Sequence, residues 1–112
     1  GMDSWLEVYM ATARANGGEP DAGSRLLAWS RAAGFRDVTT SASAWCFATE
    51  QDREWWSGTW AERCLTSFGP RAVELGLATT SDLETMAEAW RQWGASEDGW
   101  FVVVHGEVLL RA

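Results

Sequence analysis

Apolar residues recur along this chain at two spacings, and the spacings predict both helices and strands. Between residues 3 and 16 the apolar positions lie three or four apart, which is the spacing of one face of a helix. The same spacing returns at about 21–33, 49–67 and 80–93. A shorter segment begins near Pro70, a residue that suits the first turn of a helix. We therefore expect four to five helices.

Residues that cap helices mark the predicted ends of these segments. Asp3 or Ser4 is available as the N-cap of the first helix. Gly34 stands where a helix commonly ends with a residue in the left-handed conformation. Gly94 follows the last apolar position of the final helix, so we expect that helix to end before it.

The third helix carries two opposing signals. Thr49, with Asp52 three residues later, matches a capping box and predicts a helix start. Gly58, in the interior of the segment, costs about 1 kcal/mol relative to Ala and argues against an unbroken helix.

Two segments have the composition of strands. Residues 36–48 are rich in β-branched, aromatic and small side chains. Residues 100–111 contain a continuous apolar run with Val102, Val103 and Val104, which predicts a strand buried on both faces. A sheet of two strands alone is only marginally stable. The element order predicts an α+β fold, and the length predicts a single domain over 1–112.

The charge of the chain argues against several partners. Sixteen acidic residues and nine arginines, with no lysine, give a formal net charge of −7. The arginines are spread singly, whereas a nucleic-acid partner requires a basic stripe. No signal peptide and no run of about 18 apolar residues is present, so we expect a cytoplasmic protein without a membrane partner.

The two cysteines and the single histidine do not form a metal motif. Cys46 and Cys64 lack CxxC spacing and have no neighbouring histidine. We interpret both thiols as small hydrophobic side chains, and we expect neither a metal ion nor a disulfide.

Several segments resemble the C-terminal part of class I S-adenosylmethionine-dependent methyltransferases. The resemblance rests on "ANGGEPDAGSRLLAWSRAAGFRDVTTSASAWCFAT", "DREWWSGTWAER", "GLATTSDLETMAEAWRQWG" and "DGWFVVVHGEVLLRA", in that order. The most similar branch is the one related to the ubiquinone and menaquinone biosynthesis methyltransferases, which act on small molecules. The resemblance implies the C-terminal end of a Rossmann-like fold: a last helix at 21–34, two long antiparallel strands at 36–48 and 100–111, and a helical insertion at 50–94.

The same resemblance bears on the cofactor. Full-length members of the family use S-adenosylmethionine, held at a glycine-rich turn after the first strand. No such turn follows a strand here, so we expect the cofactor-binding half to be absent. We then expect no catalytic or cofactor-binding residue in this chain and no activity of the chain in isolation. The alternative is a stand-alone module, derived from a methyltransferase, that binds a small molecule or dimerises.

The tryptophans of "EWWSGTWAER", residues 54–63, form either a core or the wall of a substrate pocket. Trp56 and Trp60 share one helix face with Arg63 nearby, whereas Trp55 is turned about 100° away and is assigned to packing. An aromatic wall with an arginine suits a planar small molecule that bears an acidic group.

Three further residues are candidates for the substrate pocket. Arg14 and Asn16 lie in or beside the loop after the first helix, which the resemblance places near the ligand-binding edge of the complete sheet. His105, with Glu107 close in sequence, has the chemistry of a general base but also fits a purely structural role. The strand at 100–111 would have an open apolar edge, and from this we expect a homodimer that pairs this strand with its copy.

Overall fold

Five α-helices and two β-strands follow one another in the predicted order. The computed structural model describes all residues, 1–112. The elements are α1 (Met2–Ala15), a short 3₁₀ helix (Ala22–Arg25), α2 (Leu26–Ala32), β1 (Asp37–Phe47), α3 (Glu50–Thr66), α4 (Phe68–Glu74), α5 (Thr80–Ala95) and β2 (Phe101–Arg111). The two strands form one antiparallel sheet, which confirms the α+β prediction. None of the helices is both long enough and apolar enough to cross a lipid bilayer.

The chain divides into two compact units. The helical unit comprises Gly1–Pro20 and Phe47–Trp100 and contains α1, α3, α4 and α5. The sheet unit comprises Asp21–Cys46 and Phe101–Ala112 and contains the 3₁₀ helix, α2 and nearly all of the two strands.

Local sequence signals place most helix ends correctly. Gly34 has a φ of 99°, and the N–H of Phe35 donates to the carbonyl of Ser30 at 3.1 Å, so α2 ends in the predicted left-handed turn. The hydroxyl of Thr49 accepts from the N–H of Asp52 at 3.1 Å and caps α3. The prediction for α1 was wrong, because the helix begins at Met2 and so includes Asp3 in its first turn.

Gly94 does not end α5, contrary to the prediction. The helix continues to Ala95, because Gly94 is a contact point between helices and not a cap. A Cβ at this position would lie 2.6 Å from the Cβ of Ser57 on α3. The glycine therefore allows the backbones of α3 and α5 to approach closely. Gly58, in contrast, faces open space, and α3 passes through it unbroken.

β2 is not buried on both faces, which corrects a third prediction. Half-buried and exposed side chains alternate along the strand, and Val104 remains 71% exposed. Within the sheet unit, α2 and the 3₁₀ helix pack against β2. Gly106 and Gly23 meet there so closely that a Cβ on Gly106 would lie 2.7 Å from the Gly23 carbonyl oxygen. The exposed positions are 102 and 104 in the first half of the strand and 107, 109 and 111 in the second half, so the strand is only partly covered along its whole length.

Candidate functional site

The two candidate tryptophans of α3 lie in the core of the helical unit. Trp56 is 8% exposed and stacks on Phe47, with ring centroids 4.2 Å apart. Trp60 is 7% exposed and packs edge-to-face against Trp5 at 4.8 Å. The helical spacing thus placed both residues on one face correctly, and that face is directed into an aromatic cluster.

The centre of the aromatic cluster is Trp90 of α5, which is completely buried. Trp5 packs edge-to-face on it with ring centroids 4.7 Å apart, and Trp60 stacks on it at 6.0 Å. The indole N–H groups of Trp5 and Trp60 are buried without a hydrogen-bond acceptor. Perpendicular ring packing sets positive ring edges against negative ring faces, and this interaction partly offsets the loss of water around those groups.

The aromatic cluster reaches the surface at Arg63. Its guanidinium carbon lies 4.9 Å from the ring centroid of Trp60, within the range of a cation–π interaction. Tyr9 and Phe68, both half-buried, pack nearly edge-on around the same indole at 5.1 and 6.4 Å. Arg63 itself is exposed, so its guanidinium group is accessible to an anion beside the Trp60 ring.

The assignment of Trp55 to packing was wrong. Trp55 is 60% exposed, although its ring lies 6.1 Å from that of Phe47. The 100° separation of neighbouring helix positions was read correctly, but the face that carries Trp55 was assigned to the wrong environment. Trp55 is therefore a surface aromatic residue of the helical unit.

Arg14 and Asn16 have partners at the end of α1. Arg14 forms an exposed ion pair with Glu19 at 3.4 Å. The side-chain oxygen of Asn16 accepts from Nε of Arg71 on α4 at 2.9 Å. These contacts fix the loop after α1, and the Asn16 contact joins it to α4 within the helical unit.

His105 belongs to the sheet unit, whereas the other five candidates lie in the helical unit. Its ring packs on that of Trp45 at 4.4 Å, and its Nδ1 is buried without a hydrogen-bond partner. The carboxylate of Glu107 accepts from the hydroxyl of Ser41 on the neighbouring strand at 3.4 Å. The carboxylate that sequence proximity suggested for His105 is thus engaged with another side chain.

Sequence reasoning missed Arg53, a buried cation in the helical unit. Arg53 is 8% exposed and donates to the carbonyl of Ala48 at 2.6 Å and to that of Gly94 at 3.3 Å. It joins the segment before α3 to the last turn of α5. The signal was available, because Arg53 precedes Trp60 by seven positions and so lies on the same buried helix face.

The two cysteines differ in their environments. Cys64 is fully buried, and burial raises the pKa of its thiol to about 11, although the positive charge of Arg91 opposes the shift. Cys46 is exposed. The structure contains no group of three or more His, Cys, Asp or Glu side chains arranged to hold a metal ion.

Comparison with known proteins relates this chain to part of a methyltransferase. Over 108 residues it is 32% identical to an uncharacterized methyltransferase of Schizosaccharomyces pombe. The alignment covers 93% of this chain and 38% of that relative. No family model matches the sequence, and no solved structure matches it. The chain is therefore related to a methyltransferase and spans well under half of that protein's length.

Proposed function

We propose that this chain is the C-terminal, substrate-side part of a class I S-adenosylmethionine-dependent methyltransferase that acts on a small molecule in the cytoplasm. The observation that carries the proposal is the similarity to the yeast methyltransferase, which extends over nearly the whole of this chain. The two paired strands and the helical segment between them agree with the C-terminal end of the methyltransferase fold.

The residues present do not form a cofactor site of the family's kind. β1 is followed by the Thr49 cap of α3 and not by a glycine-rich turn. S-adenosylmethionine supplies the methyl group in this class of reaction, and its binding groups would lie outside these 112 residues. The contribution of this chain is to hold the acceptor, since methyl transfer depends strongly on the relative positions of its reactants.

The surface around Arg63 is the part of the helical unit best suited to hold an acceptor. An arginine supported by an indole is oriented before a ligand arrives, so less side-chain entropy is lost on binding. Half-buried Tyr9 and Phe68 add apolar surface beside it. The acceptor class that fits these groups is a planar molecule with a carboxylate or another acidic group.

Labelling with S-adenosylmethionine tests the methyltransferase assignment. The longest natural reading frame that contains these residues and the 112-residue chain are each photo-crosslinked with tritiated S-adenosylmethionine. We expect saturable labelling of the longer protein and none of the shorter chain. Labelling of the 112-residue chain, or no labelling of a longer folded protein, would contradict the proposal.

Binding of a simple aromatic acid tests the acceptor surface. Calorimetry with 2-naphthoate should show binding that is about tenfold weaker for Arg63→Gln, because a charge-assisted hydrogen bond is lost. Arg91→Gln makes the same change of net charge at an exposed arginine of α5 and should leave the affinity unchanged. Naphthamide, which lacks the charge, should bind the parent protein and Arg63→Gln equally. An equal loss in both arginine variants would contradict a specific role for Arg63.

A stand-alone dimerisation module is the second candidate, and the free hydrogen-bonding edge of β2 favours it. The sheet ends at β2, and Val102, Val104 and Leu109 are exposed on that strand. An apolar strand with a free edge is prone to pair with another strand. Pairing of residues 100–111 with a second copy would cover it and produce a homodimer.

Sedimentation equilibrium tests the dimer. We expect the parent chain to be dimeric. Val104→Lys should be largely monomeric, because a charge at this exposed position of β2 opposes its burial against a second copy. Leu65→Lys places the same charge on an exposed residue of α3 and serves as the control. A dispersed, stable monomer of the parent chain would rule out the dimer.

A further inference from the structure

Two adjoining cavities in the sheet unit are lined by three arginines. The larger has a volume of about 430 Å³, and its lining includes Phe35, Arg36, Asp37 and Arg111. The smaller has a volume of about 300 Å³, includes Arg31, and shares Phe35 and Arg36 with the first. Because the two cavities share residues of their lining, they form one open depression that contains three arginines and one phenylalanine.

The turn after α2 brings these residues together. Gly34, with its φ of 99°, reverses the chain between Arg31 in the last turn of α2 and Arg36 just before β1. Arg111 is the last residue of β2, the strand that pairs with β1. The depression is therefore formed by the C-terminal end of α2, the start of β1 and the end of β2.

These arginines have no ion-pair partners, unlike others in the chain. In the helical unit, Arg14 pairs with Glu19 and Arg91 pairs with Glu88. Arg31, Arg36 and Arg111 have no carboxylate within 4.0 Å. Three like charges around one cavity repel each other, and a bound anion would relieve that repulsion.

The charge of the whole chain is divided unequally between the units. The helical unit carries thirteen acidic residues and five arginines, whereas the sheet unit carries three acidic residues and four arginines. A protein with a formal net charge of −7 thus has a locally cationic unit, and most of its arginines line one depression. Asp37 and the terminal carboxylate of Ala112 are the negative groups of the lining and oppose an anion, whereas three arginines attract it.

We propose that this depression binds the phosphate group of a small phosphorylated molecule whose apolar part contacts Phe35. One guanidinium group can donate two parallel hydrogen bonds to the two oxygens of a carboxylate. A phosphate dianion has three terminal oxygens and can accept hydrogen bonds from several guanidinium groups at once. Arg31 also faces the negative end of the α2 dipole, so Arg36 and Arg111 supply most of the attraction. This site uses no residue of the Arg63 surface and stands independently of the methyltransferase assignment.

Titration with phenyl phosphate, followed by amide NMR shifts, tests the site. We expect saturable shifts at Gly34, Phe35, Arg36 and Arg111. The variant Arg36→Gln/Arg111→Gln should bind at least about tenfold more weakly, because two charge-assisted interactions are lost. Arg91→Gln has an intact depression and should bind as the parent does. Asp37→Asn should bind severalfold more tightly, since it removes one opposing charge.

The gain in Asp37→Asn separates binding from misfolding, because a damaged fold does not raise affinity. Benzoate is the matched ligand with a carboxylate, and it should bind at least about tenfold more weakly than phenyl phosphate. Three outcomes would overturn the proposal: shifts that do not saturate, equal losses in Arg91→Gln and the double variant, or benzoate binding as tightly as phenyl phosphate.

Discussion

The helical unit encloses Trp90 and Cys64 completely, whereas the sheet unit leaves Val104 71% exposed and Leu109 55% exposed. Both units are rich in apolar residues, so composition does not explain the difference. Four helices contribute side chains to the aromatic cluster, while only α2 and the 3₁₀ helix pack against β2 within the sheet unit. A strongly apolar segment is therefore buried only to the extent that other elements are present to cover it.

The largest expected effect is the removal of an aromatic side chain from the helical unit. Trp90→Ala should lower the free energy of unfolding by about 4 kcal/mol, because it leaves a cavity at the centre of the cluster. Val104→Ala in the sheet unit should change it by less than about 0.5 kcal/mol. Urea denaturation followed by far-ultraviolet circular dichroism measures both. Similar losses in the two variants would mean that the units do not differ in packing.

The buried guanidinium of Arg53 gives the second largest effect. Arg53→Met keeps most of the side-chain volume but leaves the carbonyls of Ala48 and Gly94 without their donor. We expect a loss of about 2 kcal/mol in the free energy of unfolding, measured in the same way. Arg91→Met removes an exposed arginine and should change stability by less than about 0.5 kcal/mol. A loss for Arg91→Met as large as that for Arg53→Met would show that the change in net charge, and not the loss of the two Arg53 hydrogen bonds, lowers the stability.

Two glycines of the helical unit should respond to alanine with opposite signs. Gly94→Ala should destabilise the protein by about 1–2 kcal/mol, because the new methyl group overlaps the side chain of Ser57. Gly58→Ala should stabilise it by about 0.5–1 kcal/mol, since the position is open and Ala favours the helix. Thermal unfolding measures both changes. Ser57→Gly should cost less in Gly94→Ala than in the parent, because it also relieves the overlap, and an equal cost in both backgrounds would contradict the contact.

The smallest expected effect is a pH dependence at the start of α5. The backbone N–H of Thr79, which donates to the Asp82 carboxylate at 2.8 Å, and then the Thr79 side chain lower the pKa of Asp82 below its ordinary value of 3.8. Because the folded-state pKa is depressed, the stabilisation is present above the unfolded pKa and is lost as the pH falls through the folded one.

Thermal unfolding between about pH 6 and pH 2 measures this contribution. The parent should be more stable than Asp82→Asn at the upper end, and the difference should disappear at the lower end. Glu84→Gln, which changes a nearby exposed carboxylate of α5, is the control and should show no such trend. A difference that stays constant with pH would contradict the charged cap.

The order and type of elements were predictable because their signals are local. Gly34 is followed by its turn within a few residues, and Thr49 caps a helix that starts immediately after it. Gly94 was misread because the feature that requires a glycine is Ser57 on another helix. The burial of β2 was mispredicted for the same reason, because it depends on α2 and the 3₁₀ helix, which are distant in sequence.

The sequence predicted which candidate residues share a helix face, but it did not predict which other side chains that face contacts. Helical spacing placed Trp56 and Trp60 together, but it did not show that Phe47, Trp5 and Trp90 would enclose them. For the same reason Trp55 was assigned to packing, although it lies largely exposed at the surface. A periodic pattern identifies which side chains share a face, and only the packed structure shows what that face meets.

The close packing of Trp5, Trp60 and Trp90 has an optical consequence. Their ring centroids are 4.7 to 6.0 Å apart, so the excited states of the indoles couple to each other. Coupled chromophores held at fixed angles produce paired circular dichroism bands of opposite sign. The tryptophans of the sheet unit, Trp29 and Trp45, are exposed. The paired bands therefore give the helical unit a spectral signature that disappears when its aromatic cluster loosens.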